Sequence, residues 1–600
     1  MRDLLRNLLV MLRASWRADR RRSLGALITT ALVPLTRPLR AIGLGVLADG
    51  IIEQDMHTAV MGAVIVAALT GANRLLDWAS VTVRMRLREH TILFVDEEVI
   101  ELATRAPSLE HYERPEHQDQ MELLRSDRHY LVNPFMPIAW SLAATVQVVA
   151  TIVVFAALHP ILAFLPLAGV PALILSMKGE ERWHRTREES AQDTRLGIHL
   201  MELATLPEAG KEVRIFDLGD ELTSRYRNIM RSVERRHAAV DVHQGIVLSL
   251  GWALFAAAFM AAVAFVVDQV LRGELSAGAV VLTLSLGAQI NSQLAELADY
   301  AAWFSRTARA VGRYRWLMNY VAEQEHNLEA LRARSAAPAP ARLDHGIGFE
   351  DVSFAYPGTS TPVLSDVDLH LPAGSTVAIV GENGAGKTTL VKLLLRFYEP
   401  TGGRITVDGA DLTSLDIEEW RQRTSGAFQD FARFQLLARH SVGVGSVPSL
   451  DDEAAVGSAI GRAAAGDLHR VLPLGLSTML GREFADGVEL SIGQWQKVAI
   501  ARAMMRTGSL LLVLDEPTAS LDAQTEHDLF DHFTGAARLA AQETGAITLL
   551  ISHRFSTVRS ADLVVVVADN RVAESGHHDA LIDQDGLYAE LYNLQAQSYR

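Results

Sequence analysis

The sequence predicts an all-α membrane domain of six helices, followed by an α/β domain of the P-loop type. Six long apolar segments fill the first half of the chain, and each has about the 20 residues that a helix needs to cross a bilayer. The second half alternates short β-rich runs with helical stretches and glycine turns, a pattern typical of α/β domains. With 600 residues the chain is also too long for one compact core.

The composition agrees with a chain divided between membrane and water. Hydrophobic residues make up 49% of the sequence, which is high for a wholly soluble protein, whereas 21% charged residues are too many for one lying entirely in lipid. The formal net charge of -15 argues against nucleic-acid binding, which normally depends on a basic surface. The sequence has no cysteine, which excludes disulfides, thiolate metal sites and a cysteine nucleophile.

The first 22 residues carry seven arginines among leucines and Trp16. This pattern predicts an amphipathic helix over residues 1–22, lying on the cytoplasmic face of the membrane. A cleavable signal peptide is the alternative. The apolar stretch that follows is long and further spans come after it, which argues against that alternative.

The loops between the apolar segments indicate their orientation. Two loops, 81–133 and 179–244, are long and rich in arginine, whereas the short loops contain a single arginine, Arg272. The positive-inside rule therefore places the long loops, the N-terminus and everything after residue 304 in the cytoplasm of a multi-pass protein of the cell membrane. The predicted spans are 24–50, 58–80, 134–158, 160–178, 245–267 and 277–304.

The domain boundaries follow from a change of composition after the last span. Residues 305–330 predict a helix leaving the membrane, so the membrane domain is expected over 23–330. The run Ala336–Ala341 alternates alanine with proline and predicts a linker over 331–345. The α/β domain is then expected over 346–600.

The segment from Gly381 to Thr388 matches the P-loop pattern and directly follows a predicted strand. Glycines allow backbone N–H groups to surround phosphates, and the N-terminus of the next helix adds partial positive charge. Lys387 would reach the β- and γ-phosphates, and the Thr388 hydroxyl would bind Mg²⁺. The predicted phosphate-binding residues are Gly381, Glu382, Asn383, Gly384, Ala385, Gly386, Lys387, Thr388 and Thr389.

A hydrophobic strand that ends in Asp515 and Glu516 lies downstream of the P-loop. A carboxylate at the tip of a buried strand is well placed to hold Mg²⁺, which is the role predicted for Asp515. Glu516 would then polarise the attacking water. Two ordinary surface acids after a core strand are the alternative, which the presence of the P-loop disfavours.

Further motifs lie in a fixed order around these residues, and with them nearly the whole chain resembles an ATP-binding cassette transporter of the exporter type. Leu490–Gln494 resembles the family signature, although Ile492 stands where the family normally has glycine. The remaining matches are Tyr356 for the adenine-stacking aromatic, Gln429 for the Q-loop, Ser520 to Asp522 for the D-loop and His553 for the switch histidine.

The resemblance implies ATP and Mg²⁺ as ligands, and a second half-transporter, identical or different, as partner. Two cassettes would enclose two ATP molecules, each held by the P-loop of one chain and the signature of the other. Closure of this sandwich would pull on the membrane helices through the long cytoplasmic loops. The implied roles are general base for Glu516, γ-phosphate positioning for His553, Mg²⁺ sensing for Gln429, and nucleotide binding for Ser491, Gly493, Gln494 and Asp522.

The resemblance implies export as the direction of transport. Weak similarity to lantibiotic and small-peptide exporters, over Ser108–Glu116, Phe484–Leu490 and Trp495–Gln496, favours a peptide or a small amphipathic molecule as cargo. An exporter-shaped importer of siderophores or vitamins is the alternative, and intact Glu516 and His553 argue against a gated channel or regulatory subunit.

Polar residues within the predicted spans leave two interpretations open. Arg37 and Arg40 lie on one side of the first span, and Gln289, Gln293 and Glu296 share one face of the sixth. They either line a transport cavity and touch cargo, or pair with one another and stabilise contacts between helices.

Overall fold

The computed structural model divides the chain into two compact units, and it describes residues 2–131, 135–207, 209–332, 337–517, 535, 538–552 and 554–598. The first unit comprises Met1–Ala103 and Gln120–Asn319, and the second comprises Thr104–Asp119 and Tyr320–Arg600. A short piece of the first predicted cytoplasmic loop thus belongs to the same unit as the α/β domain.

The first 332 residues are helical almost throughout, which confirms the predicted all-α membrane domain. Two 3-10 segments, Val33–Leu35 with three residues and Pro160–Gly169 with ten, interrupt the α-helices where prolines remove backbone donors. The helices are α1 (Arg2–Ala18), α2 (Arg20–Leu32), α3 (Thr36–Ile52), α4 (Met56–Arg105), α5 (Glu110–Glu113), α6 (Pro115–Ser126), α7 (Arg128–Leu131), α8 (Phe135–Leu158), α9 (Val170–Glu189), α10 (Ala191–Thr205), α11 (Gly210–Ile215), α12 (Gly219–Leu271) and α13 (Gly278–Arg332).

Within the described residues, five helical segments are long and apolar enough to cross a membrane. The sixth predicted span, 277–304, lies on α13, which has the length but carries several polar side chains in that stretch. The arginine-rich loops are largely helical, because α4 and α12 run far beyond the predicted spans. The five segments are Arg20–Ile52, Met56–Arg105, Phe135–Leu158, Pro160–Glu189 and Gly219–Leu271.

The polar residues of the spans make contacts within the helix bundle. Gln293 is only 1% exposed, and its amide nitrogen donates a hydrogen bond of 3.3 Å to the Thr151 hydroxyl on α8. The Arg37 guanidinium lies 3.7 Å from the Glu296 carboxylate, and both side chains remain partly exposed. Gln293 therefore stabilises a contact between helices, as the second interpretation predicted, whereas Arg37 and Glu296 pair without being buried.

The second unit is built on two β-sheets. A four-stranded antiparallel sheet has the order β2-β1-β4-β5, and a six-stranded sheet has the order β10-β9-β3-β8-β7-β6. The strands are β1 (Gly346–Phe354), β2 (Leu364–Pro372), β3 (Thr376–Gly381), β4 (Gly402–Val407), β5 (Ala410–Asp411), β6 (Thr424–Ala427), β7 (Leu511–Asp515), β8 (Ile547–Ile551), β9 (Leu563–Ala568) and β10 (Arg571–Gly576).

Helices pack on these sheets, and the predicted α/β class is confirmed. Alternating burial along β2 and continuous burial along β8 match an antiparallel sheet with one open face and a parallel sheet covered on both. The helices are α14 (Lys387–Leu394), α15 (Ile417–Gln422), α16 (Ala438–Gly443), α17 (Glu453–Arg462), α18 (Ile492–Ala503), α19 (Phe555–Val558), α20 (His578–Asp583) and α21 (Leu587–Ser598), with 3-10 turns at Leu412–Ser414, Val447–Ser449, Gly466–Arg470 and Gly475–Ser477.

Candidate nucleotide site

The site lies where parallel strands end. Strands β3, β8, β7 and β6 pair in parallel, so their carboxyl ends meet at one edge of the sheet. The P-loop follows β3, Gln429 follows β6, and Asp515 ends β7, each at that edge. Residues far apart in sequence are therefore brought together by the sheet topology, as is general for ligand sites of open α/β sheets.

The P-loop has the backbone conformation of an anion-binding turn. Gly381, Gly384 and Gly386 all have positive φ, and Gly386 at +106° is the N-cap of α14. The positive φ of Gly386 favours glycine, and a Cβ there would lie 2.7 Å from a terminal methyl of Leu364, which would have to shift. Positive φ at these glycines is typical of loops whose backbone N–H groups bind an anion, and the N-terminus of α14 favours an anion at the same place.

Lys387 is the first residue of α14, and its ammonium group is held inside the loop. Its Nζ donates hydrogen bonds of 2.8 Å to the backbone carbonyls of Gly381 and Glu382. Burial lowers the pKa of Lys387, and the Glu516 and Asp515 carboxylates oppose that shift. The positive charge is thus already placed where phosphate oxygens would arrive.

Asp515 is a buried carboxylate at the tip of β7. Burial raises its pKa to about 6, and the nearby charges of Glu516 and Asp430 act in the same direction, against Lys387. A buried acid with two acidic neighbours favours a bound cation. The exposed Thr388 hydroxyl and the Gln429 amide add the oxygen ligands that Mg²⁺ prefers, so these residues fit the metal.

Glu516 has a left-handed backbone, with φ of +46°. Its N–H donates to the Ile551 carbonyl at 2.9 Å, and its carboxylate accepts a hydrogen bond of 2.7 Å from Gln429. Its own carbonyl accepts a hydrogen bond of 2.9 Å from the Gln496 amide. The residue predicted to act as general base is therefore fixed through both its backbone and its side chain.

Tyr356 packs against other aromatic rings and a lysine. Its ring meets Tyr398 edge-on at 5.4 Å, and the Lys392 ammonium lies 5.2 Å from its centre. Its hydroxyl lies 3.1 Å from that of Thr389, which joins it to the end of the P-loop. The ring that was predicted to stack on adenine therefore lies next to the end of the P-loop.

The signature residues begin α18. Ser491 and Gln494 form a capping box, in which the Ser491 Oγ accepts from the Gln494 N–H and the Gln494 side chain accepts from the Ser491 N–H. Ser491 is exposed, and the Ile492 side chain is 57% exposed. The N-terminus of α18 is therefore open to solvent.

Two predicted site residues, Asp522 and His553, lie outside the described residues. The structure adds two contacts that the motifs did not indicate. One is the hydrogen bond from Gln496 to Glu516, and the other joins Glu113 of the first predicted cytoplasmic loop to Lys392 and Tyr398. Both depend on residues that are distant in sequence, so only a structure could reveal them.

Comparison with known families matches both halves of the chain. The model described as "ABC transporter transmembrane region" matches residues 135–294, and the model described as "ABC transporter" matches residues 364–519. The chain belongs to the ABC transporters. A solved structure, described as a bacterial Atm1-family ABC exporter with ATP bound, has a TM-score of 0.71, covers 96% of this ABC transporter and 98% of that chain, and shares its fold at 24% identity.

Curated relatives include two proteins named ATP-dependent lipid A-core flippase. The one from Alcanivorax borkumensis is 31% identical over 387 residues, which are 64% of this ABC transporter and 63% of that protein. The one from Ralstonia nicotianae is 40% identical over 248 residues, 41% and 40% of the two chains. The chain thus spans less than two thirds of the length of these relatives.

Proposed function

We propose that this chain is an ATP-hydrolysing half-transporter that exports an amphipathic molecule across the cytoplasmic membrane by alternating access. One observation carries the proposal: a P-loop lysine, a buried aspartate and a fixed glutamate share one edge of a sheet, in a chain whose other half consists of helices long enough to span a bilayer. Both termini and the ATPase domain are assigned to the cytoplasm by the positive-inside rule.

The nucleotide chemistry is assigned to the residues at the sheet edge. Lys387 and the P-loop N–H groups bind the phosphates, and Tyr356 stacks on the adenine. Glu516, oriented by Gln429, accepts the proton of the attacking water, the usual role of a carboxylate base. Thr388, Asp515 and Gln429 would hold Mg²⁺, which neutralises charge on the phosphate oxygens when bound.

A second half-transporter completes each site in this proposal. The exposed N-terminus of α18 presents Ser491, Gly493 and Gln494 to the nucleotide of the partner, with the helix dipole favouring an anion there. Asp522 and His553 are assigned the roles that the family resemblance implies. A second copy of this chain is the simplest partner.

Replacing Ile492 with glycine tests this use of the signature. The exposed isoleucine side chain lies at the first position of α18, where a partner nucleotide would approach. We expect the KM for ATP to fall about three- to tenfold. A change of this size corresponds to the free energy of one additional hydrogen bond between the signature and the nucleotide. Steady-state ATPase measurements on purified chain in nanodiscs check this. An unchanged KM would contradict the assignment, and Val447→Gly, an exposed site elsewhere on the same domain, is the control.

Coupling to the membrane helices is assigned to the segment Thr104–Asp119, which directly follows α4 along the chain. The Glu113 carboxylate lies 2.7 Å from the Lys392 ammonium and accepts a 2.6 Å hydrogen bond from the Tyr398 hydroxyl. The Pro107 carbonyl accepts a hydrogen bond from Arg421 at 2.6 Å. Burial is the largest single influence and lowers the pKa of Lys392, but the hydrogen bonds and charge interactions with Glu113 and Tyr356 together outweigh it, so the pKa is raised. Lys392 also contacts the ring of Tyr356, the proposed adenine-stacking residue. The segment Thr104–Asp119 is therefore linked to the proposed adenine site through Lys392.

Glu113→Gln should separate ATP turnover from transport. The substitution keeps the shape of the side chain but removes the charge, and charge-assisted hydrogen bonds contribute about 1.5–3 kcal/mol. We expect turnover to change by less than about twofold, while the number of probe molecules moved per ATP falls about tenfold. Glu116→Gln is the matched control, since Glu116 is an exposed residue of the same segment. Equal loss in both variants would contradict the coupling role.

Cargo and direction are proposed from the membrane unit and from the relatives. The partly exposed Arg37–Glu296 pair, together with a cluster in which Trp140 contacts Tyr300 and Trp303, offers both charge and aromatic surface. Such a surface suits a molecule with a polar head and an apolar body. The relatives named as lipid A-core flippases favour a lipid-like cargo over a peptide.

The proposal is tested in proteoliposomes loaded with a fluorescent phospholipid or, separately, a dansylated amphipathic peptide. ATP added to outward-facing cassettes should move the lipid away from the leaflet that the cassettes face. Movement toward that leaflet would identify an importer and overturn export. Turnover without movement of either probe would overturn amphipathic transport in favour of a regulatory ATPase.

A further inference from the structure

The backbone of Glu516 is strained, and the surrounding contacts hold it in place. Its left-handed φ of +46° costs about 1–2 kcal/mol for a residue with a Cβ. Such conformations persist only where neighbouring groups impose them. The Ile551 carbonyl binds the Glu516 N–H, and the Gln496 amide binds the Glu516 carbonyl at 2.9 Å.

Gln496 is suited to this task by its position. It is only 5% exposed and lies on α18, one turn after the capping box of Ser491 and Gln494. Five residues of helix separate it from Ser491, a rise of about 7.5 Å. Ser491 caps α18 and Gln496 lies in its second turn, so hydrogen-bonded helix connects them directly. A displacement of the signature would therefore reach the carbonyl of Glu516 through the Gln496 amide.

The two ends of this link serve different nucleotides, an argument that rests on the proposed two-chain site. Glu516 acts on the ATP held by the P-loop of its own chain, whereas Ser491 and Gly493 of the same chain face the ATP of the partner. Gln496 binds the backbone of Glu516, which acts on the ATP of its own chain. Gln496 also belongs to α18, the helix whose N-terminus faces the ATP of the partner. It therefore joins the two ATP sites within one chain.

We infer that Gln496 is a positioning residue that holds the backbone of Glu516 in its left-handed conformation and makes it respond to the ATP bound at the signature. ATP bound to the P-loop of the partner would fix the position of α18. Through Gln496, α18 would then orient Glu516, the general base that acts on the ATP of its own chain. Hydrolysis at the two sites is then cooperative because the hydrogen bond from the Gln496 amide to the Glu516 carbonyl connects them.

The first test measures positioning without any turnover. Gln496→Met keeps the volume of the side chain and removes the donor. In nucleotide-free chain, hydrogen–deuterium exchange of the Leu511–Pro517 peptide should rise about fivefold or more. Lys497→Met is the matched control, because Lys497 is the next residue of α18, is also buried and pairs with Asp467 instead. Exchange equal to wild type would overturn the positioning role.

The second test measures the link between the sites. Wild type should show an ATP dependence with a Hill coefficient above 1. In Gln496→Met, kcat should fall about 10- to 100-fold, as expected when a catalytic group is slightly misplaced. Its Hill coefficient should fall to 1, while the affinity for ATP stays within twofold. A Hill coefficient unchanged from wild type would overturn the link.

These outcomes are separable from failure of the proposed function. A wild-type chain without turnover would count against the two-chain ATPase, and the exchange measurement would still decide the role of Gln496. If Gln496→Met does not fold, Gln496→Asn replaces it in both tests. That variant keeps the amide but is one methylene too short to reach the carbonyl at 2.9 Å, and wild-type exchange in it would overturn the inference.

Discussion

Replacing Glu516 with glutamine should lower ATP turnover about 100-fold or more while ATP binding is retained. A general base contributes about 10²- to 10⁴-fold to a rate, and an amide cannot accept the proton of water. The backbone of residue 516 is held by Ile551 and Gln496, so the substitution leaves the geometry of the site intact. Phosphate release by purified chain in lipid nanodiscs measures the effect.

Glu350→Gln is the control for this experiment, because Glu350 pairs with Arg404 on the exposed antiparallel sheet. Its turnover should equal that of wild type. If Glu516→Gln retained more than a tenth of the turnover, another group would have to serve as base. If wild type itself had no turnover although ATP still bound, the chain would require a different partner half.

The motifs of the site could be read from the sequence because their chemistry is local. The P-loop needs glycines at fixed positions ahead of a lysine, and the positive φ of Gly384 and Gly386 shows what those glycines supply. Asp515 and Glu516 could be found in the same way, because they directly follow an apolar run that predicts a buried strand. Charged residues at such a position mark the end of the strand. The roles of these residues remain predictions, whereas their meeting at one sheet edge is observed.

The helical membrane domain could be predicted for a similar reason, since an apolar segment of sufficient length has few alternatives to a helix in lipid. The break at Val33–Leu35 and the 3-10 segment Pro160–Gly169 were not predicted, because span length alone does not report where a proline interrupts the backbone. The contact between Gln293 and Thr151 was foreseen only as one of two interpretations. Periodicity places Gln293 on a face but does not say which helix that face meets.

The contacts of Glu113 and Gln496 were beyond sequence reasoning. Glu113 lies 279 residues from Lys392, in a cytoplasmic loop whose similarity to peptide exporters indicated nothing about this contact. Gln496 follows the signature in sequence, but nothing local indicates that its amide reaches the carbonyl of Glu516. Side chains that bind backbone atoms of a distant segment leave no pattern of their own. They are nevertheless the residues through which the proposed ATP site would affect the rest of the chain.

Replacing Lys387 with methionine should remove ATP binding itself. The ammonium group is buried, donates to the carbonyls of Gly381 and Glu382, and would exchange those carbonyls for phosphate oxygens. Removing one member of a buried charge pair costs about 2–5 kcal/mol, so the Kd for ATP should rise about 30-fold or more. Equilibrium binding of a fluorescent ATP analogue measures this change directly.

Thermal unfolding gives an independent test of the same variant. ATP at 100 times its Kd should stabilise wild type by about 2.7 kcal/mol, and that gain should vanish in Lys387→Met at the same concentration. Without ATP the variant should unfold at or above the wild-type temperature, since burial lowers the pKa of Lys387 and thus opposes its charge in the folded chain. Lys497→Met, which breaks the pair with Asp467, should keep the ATP-dependent gain. If ATP still stabilised the Lys387→Met chain, the phosphates would have to bind elsewhere. Among the described residues of the P-loop, Lys387 is the one that brings a positive charge to the N-terminus of α14.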